Sequence, residues 1–457
     1  MIGAGGRERG TVLRRAVRWG GRTAVRALSA MLEPLALLLL RPANRRRARR
    51  APAATARKVV FLVQHAYGAG GTVRSVLNCA GQLARQREVE VVGLIRELRR
   101  PSFPIPEGVR VSSLDDRVEP PGGARGLARR VLSRLPSLLV PVGEPSYRRC
   151  SLWTDLLLIR FLRSLRTGLL ITTRPSLNLA AAVFAPPEVR TVGQEHMNLG
   201  SHRPAVRDRV LRRYGRLDAV VTLTATDLAG YRRELPDARR LVCIPNALPE
   251  LAGGPADPAA RTVLAAGRLV RQKGFDLLLD AWERVAADHP GWTLRIYGGG
   301  PWRQRLQRRI DRRGLSSSAF LMGRTGDIGT AMAKASIFVL SSRYEGLPLV
   351  LLEAMSKGLG VVSFDCPTGP RELLTDGVDG LLVKDGDVPA LASAIGRMMD
   401  DRGLRARLGE QAAGAMARYT PEAVGAEWDA LLDDLVRPAP ARRPARPRVP
   451  EQEAGLL

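Results

Sequence analysis

Thr262-Val263-Leu264-Ala265-Ala266-Gly267-Arg268-Leu269-Val270-Arg271-Gln272-Lys273-Gly274 is the stretch on which the architecture turns. Val263 to Ala266 run without a polar break, as in a strand buried on both faces. Gly267 ends the run, and a helical pattern begins at Phe275. Downstream the alternation repeats. Strands are expected at 293–297, 320–322, 337–340, 360–364 and 381–383, with helices at 275–288, 301–313, 327–334, 348–357 and 388–400. Upstream an earlier series starts with Lys58-Val59-Val60-Phe61-Leu62-Val63, passes the loop Gly68-Ala69-Gly70-Gly71 and a helix at 72–86, and reaches a strand at 89–94. Further strands are expected at 169–172, 189–194, 219–223 and 241–244. Residues 96–150, dense in Pro and Arg, read as an insertion with a helix or two, and helix resumes over 152–165.

Residues 249–259 are Pro-, Gly-, Ala- and Asp-rich, as a linker would be. Two β-α series joined by a linker predict an α/β fold of two doubly wound Rossmann-like domains facing a central cleft. The expected division is a basic extension at 1–57, a first domain at 58–248, a linker at 249–260, a second domain at 261–420, a helix at 421–436 and a disordered tail at 437–457. Ligands of such sheets sit beyond the carboxyl ends of the strands, where the polar motifs fall.

Composition narrows the partners. The 457 residues carry a formal net charge of +28, and residues 1–57 hold fourteen Arg against two Glu. A basic body suits nucleic acid, anionic lipid or a phosphorylated substrate, although compositional drift toward Arg explains the charge equally well. Cys79, Cys150, Cys243 and Cys366 have no C-x-x-C spacing, and the four histidines are scattered, which argues against a disulfide framework and a metal site. A cytoplasmic location fits. Residues 28–40 are apolar but include Glu33 and Pro34 and fall short of the ~20 residues of a spanning helix. Arginines flank them on both sides, unlike a secretory leader. They read as a segment on an anionic membrane surface, at the inner face of the cell membrane. The alternatives are a disordered basic tail or translation from Met31.

In the opening stretch, Arg268 and Lys273 put two cations beside a tight turn, suited to a leaving pyrophosphate. Ser341-Ser342-Arg343-Tyr344-Glu345-Gly346-Leu347-Pro348 leads into an apolar helix that contains Glu353. Pro348 reads as its first helical residue. Free N–H groups at the helix start make an anion site. Glu345 can accept hydrogen bonds from sugar hydroxyls or serve only as an N-terminal acid, whereas Glu353, inside Val350-Leu351-Leu352-Glu353-Ala354-Met355, must find partners. Glu195-His196 ends a strand of the first domain and is expected to face the cleft. Asp385-Gly386-Asp387 has a metal-binding form, yet Asp387 precedes a helix and reads as its N-cap. Gly70-Gly71 lacks the full G-x-G-x-x-G of a dinucleotide site.

These motifs resemble glycosyltransferase family 4, retaining enzymes of the GT-B fold. The resemblance rests on Glu345 and Glu353 spaced as E-x7-E, on Gly267, Arg268, Lys273 and Gly274, and on Gly298-Gly299-Gly300-Pro301. It spans roughly 58–435 and is most specific over 262–385. It implies that Arg268 and Lys273 bind a nucleotide diphosphate, with UDP expected. It implies further that Glu345 contacts the donor sugar, Glu353 the ribose, and amides of Gly346, Leu347 and Leu349 the distal phosphate. Gly70, Gly71 and Gly300 line the diphosphate, the base lies against Gly323-Arg324-Thr325, and His196 sits near the reacting centre. Val73-Arg74 departs from the family's usual loop, and Arg74 is expected to add a phosphate contact. The implied activity is metal-independent transfer of a hexose or N-acetylhexosamine, without a cofactor, to a glycan or lipid-linked acceptor in envelope polysaccharide assembly. The segment 364–372 resembles members that transfer amino sugars or hexoses. A sugar-nucleotide epimerase, a non-catalytic membrane-associated paralogue and a nucleic-acid binder are the rival readings; no RNA- or DNA-binding motif is present.

Overall fold

The computed structural model describes residues 57–437; the expected membrane segment and C-terminal tail lie outside the described residues. Two parallel sheets organise the chain. The first has seven strands: β1 (Lys58–Val63), β2 (Glu88–Arg96), β3 (Val109–Asp116), β4 (Gly168–Thr172), β5 (Val189–Gln194), β6 (Ala219–Thr222) and β7 (Leu241–Cys243), in the order β3-β2-β1-β4-β5-β6-β7. The second has six: β8 (Thr262–Ala266), β9 (Thr293–Tyr297), β10 (Ala319–Gly323), β11 (Ile337–Leu340), β12 (Gly360–Asp365) and β13 (Leu381–Lys384), in the order β10-β9-β8-β11-β12-β13. In both, the first strand lies inside the order and the chain reverses direction beside it, which leaves a crevice at the carboxyl ends.

Burial follows the apolar runs. Val59, Phe61, Leu62, Val263, Leu264 and Ala265 are fully enclosed because helices cover both faces of each sheet. β3 departs from the sequence reading, which treated residues 96–150 as irregular. It is an edge strand with Val109 buried, Arg110 and Ser112 exposed, and polar Ser113 and Asp116 half-buried, so no continuous apolar run marks it.

Two features tie the units together. The chain leaves the first through 249–259, which carries no helix or strand, and returns after Tyr419. The final helix, Pro421–Val436, then buries Val424, Trp428, Leu431 and Leu432 in the core beneath β1 and the helix Gly71–Leu83. Leu248 N donates to Tyr419 O at 2.7 Å, so the outgoing and returning segments are paired. Lys357, at the end of the helix Leu349–Ser356, donates from Nζ to the carbonyls of Ala252 (2.8 Å), Gly253 (2.6 Å) and Gly254 (3.1 Å) and so fixes the linker.

Candidate active site

The carboxyl ends of the two sheets meet. From the second come the loops after β8, β9, β10 and β11. Those after β8 to β10 are locked to one another by backbone: Gly267 N donates to Tyr297 O (2.9 Å), Leu269 N to Gly299 O (3.0 Å) and Gly298 N to Gly323 O (2.7 Å). Gly300 lies so close to this framework that a Cβ would sit 2.5 Å from Leu269 O. The turn over 298–301, the Arg268 loop and the Gly323-Arg324-Thr325 loop are therefore one rigid platform. Arg324 is exposed beside Gly299.

Lys273 runs its aliphatic stem across Gly267 and ends on Glu345, with Nζ 2.6 Å from Oε1. Ser342 Oγ donates to the same oxygen at 2.5 Å. The loop that presents Glu345 is tied down on its other side, where Arg343 grips Asp276 through two 2.9 Å bonds. Arg268 is exposed and has no ion-pair partner among the described residues. Lys273 and Glu345 thus share one location, and Arg268 stands in the adjoining loop with its charge uncommitted.

The helix Leu349–Ser356 starts one residue later than expected: Pro348 is its N-cap and accepts Leu351 N at 2.9 Å. Leu347 is buried and Leu349 half-buried. Glu353, 4% exposed, is met by Arg74 Nη1 of the first unit at 2.5 Å. Burial pushes its carboxyl up to about 7, against the opposing pull of Arg74 and Lys273. Arg74, read as a phosphate contact, is in this structure the partner of the acid read as a ribose contact.

The first unit supplies three more elements. Gly70 and Gly71 lie at the start of the helix Gly71–Leu83, and a Cβ at either would meet nothing within 4 Å. Packing does not require glycine there. His196 follows β5, and its carbonyl would be only 2.2 Å from a Cβ on Gly346. Its Nε2 is buried with no hydrogen-bond partner, and burial, aided by the charge of Arg174, drops its pKa to about 3. The imidazole is therefore neutral at physiological pH, with a ring nitrogen to offer.

Glu195 corrects the reading that placed it beside His196 in the cleft. It is 1% exposed and bound to Asn178 Nδ2 (2.8 Å) and the Tyr214 hydroxyl inside the first unit, with His202 Nε2 3.5 Å away.

Two contacts across the junction were not anticipated. Asn198 Nδ2 donates to Glu345 O at 3.0 Å, and Asn246 bridges Ser75 Oγ (2.5 Å) and Leu347 O (3.3 Å). Asn246 had a legible cue, a lone amide at the end of an apolar strand in Ile244-Pro245-Asn246-Ala247. Asn198, in a loop, had none. Asp387 caps its helix, accepting Ala390 N at 2.9 Å. The four cysteines are free.

The glycosyl transferases group 1 family matches residues 253–414, the segment carrying Arg268, Lys273, Glu345 and Glu353. The second unit is thus similar to the group 1 glycosyl transferases. Among curated relatives, the exopolysaccharide phosphotransferase SCO2592 of Streptomyces coelicolor is 36% identical over 388 residues, covering 83% of this chain and 41% of that protein. The amylovoran biosynthesis glycosyltransferase AmsD of Erwinia amylovora is 29% identical over 286 residues, covering 60% of this chain and 80% of that one. The chain thus spans less than half of its Streptomyces relative. A variant of S. aureus TarM solved with fondaparinux, α-GlcNAc-glycerol and UDP superposes with a TM-score of 0.67 at 15% identity, covering 82% of this chain and all of that one. Anabaena Alr3699/HepE with UDP and glucose gives a TM-score of 0.63 at 18% identity, covering 82% and 99%. Two facing doubly wound units are the GT-B fold of those structures. No helix among the described residues is long and apolar enough to cross a membrane.

Proposed function

We propose that the chain is a retaining glycosyltransferase that moves a hexose or N-acetylhexosamine from a UDP-sugar to a glycan or lipid-linked acceptor in envelope polysaccharide assembly. The observation that carries this reading is the Lys273–Glu345 pair at 2.6 Å, set where His196 of the other unit leaves a buried ring nitrogen unpartnered. A cation for the leaving phosphate and an acid for sugar hydroxyls lie together, and the backbone of the residue that carries a neutral imidazole abuts their loop at Gly346.

In this reading the bond from the anomeric carbon to the diphosphate oxygen breaks while the acceptor oxygen bonds to the same face of that carbon. The acceptor's proton passes to the departing phosphate. Lys273, Arg268 and the start of the helix Leu349–Ser356 stabilise the charge that develops there. Glu345 holds the sugar, and His196, being neutral, orients it rather than titrating. Glu353 exchanges Arg74 for the ribose hydroxyls, which frees Arg74 for phosphate. The cations supply the electrostatic role that a metal fills elsewhere, and Asp387 is spent as a helix cap, so the reading calls on no metal.

The test is release of UDP from a panel of UDP-sugars with and without acceptor glycans, alongside direct UDP binding. Glu345→Ala should reduce turnover by at least about 10²-fold while leaving UDP affinity close to that of the parent. An equal loss of both would reject the role given to Glu345. Release of UDP that needs no acceptor, or sugar interconversion without release, would favour the epimerase reading.

A further inference from the structure

The helix Gly123–Leu132 is turned inside out. Leu127 and Val131 are 58% and 53% exposed, and Leu135, one turn on, is 46% exposed. The residue it buries is Gly126, whose Cβ would strike Pro121 O at 2.3 Å. Arg129 points inward instead and binds Asp115 at 2.9 Å. A helix on a soluble body ordinarily buries its leucines and exposes its arginines. Leu156, 45% exposed, continues the apolar face on the helix Leu152–Ser164, which is joined to this region by Leu152 N donating to Leu135 O at 3.2 Å. The arrangement is anchored: Asp155 accepts Ser137 Oγ (2.6 Å) and Leu138 N (2.7 Å).

Charge surrounds the apolar face. Residues 122–164 hold eight arginines and two acids, and both acids, Glu144 and Asp155, are buried. Arg125, Arg130, Arg134 and Arg160 are exposed. Beside the helix a cavity of about 310 Å³ is lined by Arg117, Arg129, Arg148 and Arg149 with Ser133 and Ser151. Asp115 and Glu97 neutralise only part of it: Asp115 pairs with Arg117 and Arg129, and Glu97 with Arg117 at 2.8 Å.

We propose that this face seats the first unit on an anionic lipid bilayer, with Leu127, Val131, Leu135 and Leu156 entering the acyl boundary and the arginine-lined cavity receiving a lipid phosphate. Apolar side chains ringed by arginine are what an interfacial helix presents to acidic lipid. Residues 1–57, with fourteen Arg against two Glu, would bring like charge to this face, and a second copy would set arginine against arginine across a two-fold axis. The cavity lies by the carboxyl ends of β1 to β3, since Arg149 Nη1 reaches His65 Nε2 at 3.0 Å and Asp115 closes β3. The acceptor side of the cleft would then open toward the bilayer. The docking does not depend on the sugar-transfer reading, so its test can fail or succeed separately.

The full chain is tested by flotation with vesicles of phosphatidylcholine alone and of phosphatidylcholine with phosphatidylglycerol. Hydrogen exchange is followed in parallel. The triple variant L127S/V131S/L135S replaces exposed side chains only and should keep the parent's melting temperature. Its partition into the anionic vesicles is expected to fall at least about tenfold, and R130E/R134E should weaken anionic binding as well. Protection of residues 123–135 should appear with anionic vesicles and not with neutral ones. Unchanged binding of the triple variant, or protection confined to residues 1–56, would overturn the proposal. So would a dimer in lipid-free solution that the triple variant abolishes, since it would give the face to a second copy.

Discussion

Gly346→Ala adds one methyl group where the two units touch. The new Cβ would start 2.2 Å from His196 O. A carbon approaches a carbonyl oxygen to about 3.3 Å, so the Glu345 loop and the His196 loop must part by roughly 1 Å. That displacement stretches the Asn198 Nδ2 to Glu345 O bond, now 3.0 Å, to about 4 Å, beyond hydrogen bonding. Losing a buried hydrogen bond costs about 1–3 kcal/mol, and forcing the methyl into a packed contact costs about 1–3 kcal/mol more. A total of about 2–6 kcal/mol should be visible in chemical denaturation. Under the proposed function the larger effect is on chemistry: about 1 Å of misplacement should lower turnover on the order of 10²-fold, because the reading has Glu345 and His196 hold one sugar. The control is Gly230→Ala, in the helix Ala225–Glu234, where a Cβ meets nothing within 4 Å. It should stabilise by about 0.5–1 kcal/mol without touching turnover. Parental turnover and stability in Gly346→Ala would show that the His196 carbonyl does not set the distance between the units.

Gly70→Ala and Gly71→Ala have open space in the structure, so stability should hold or rise by about 0.4–1 kcal/mol while UDP affinity, read by calorimetry, falls; undiminished affinity would remove the diphosphate from this loop. Glu353 titrates at about 7 in the folded chain against 4.5 for the free group. Between those values the native state keeps a proton that the unfolded chain has released. Its stability is thus greatest below about pH 4.5 and falls by up to roughly 3 kcal/mol as pH rises toward 7. Glu353→Gln should lack this fall, which paired denaturation curves across that window can check. Lys357→Met strips three close carbonyl partners from the linker, should cost about 2–4 kcal/mol, and should speed proteolytic cutting near 251–254.

The buried strands could be read from sequence because a parallel sheet covered on both sides needs unbroken apolar runs, as at Val59–Val63 and Val263–Ala266. β3 escaped that logic: it lies at an edge, and only one of its faces needs apolar residues. The inside-out helix of 123–132 was hidden for a related reason, since its pattern is that of any amphipathic helix and only packing reveals which face is inside. At the site, the pairing of Lys273 with Glu345 follows from motifs whose residue types suit one task. Spacing alone does not reveal that Arg74 would hold Glu353 or that Asn198 would reach Glu345, because these depend on how two separately folded rims meet. Glu195 shows the limit from the other side: two adjacent polar residues after a strand look equally functional until packing commits one of them to buried partners, here Asn178 and Tyr214.

The bond between Leu248 and Tyr419 has a mechanical meaning. Both covalent passages between the units run side by side there, like two knuckles on one pin. Widening the gap between the sheets' carboxyl ends must therefore rotate the halves about that edge, and sliding them apart would break the pair. Because Trp428 completes the first unit's interior from beyond the second unit, that interior stays unfinished during synthesis until the second unit and the helix Pro421–Val436 have emerged.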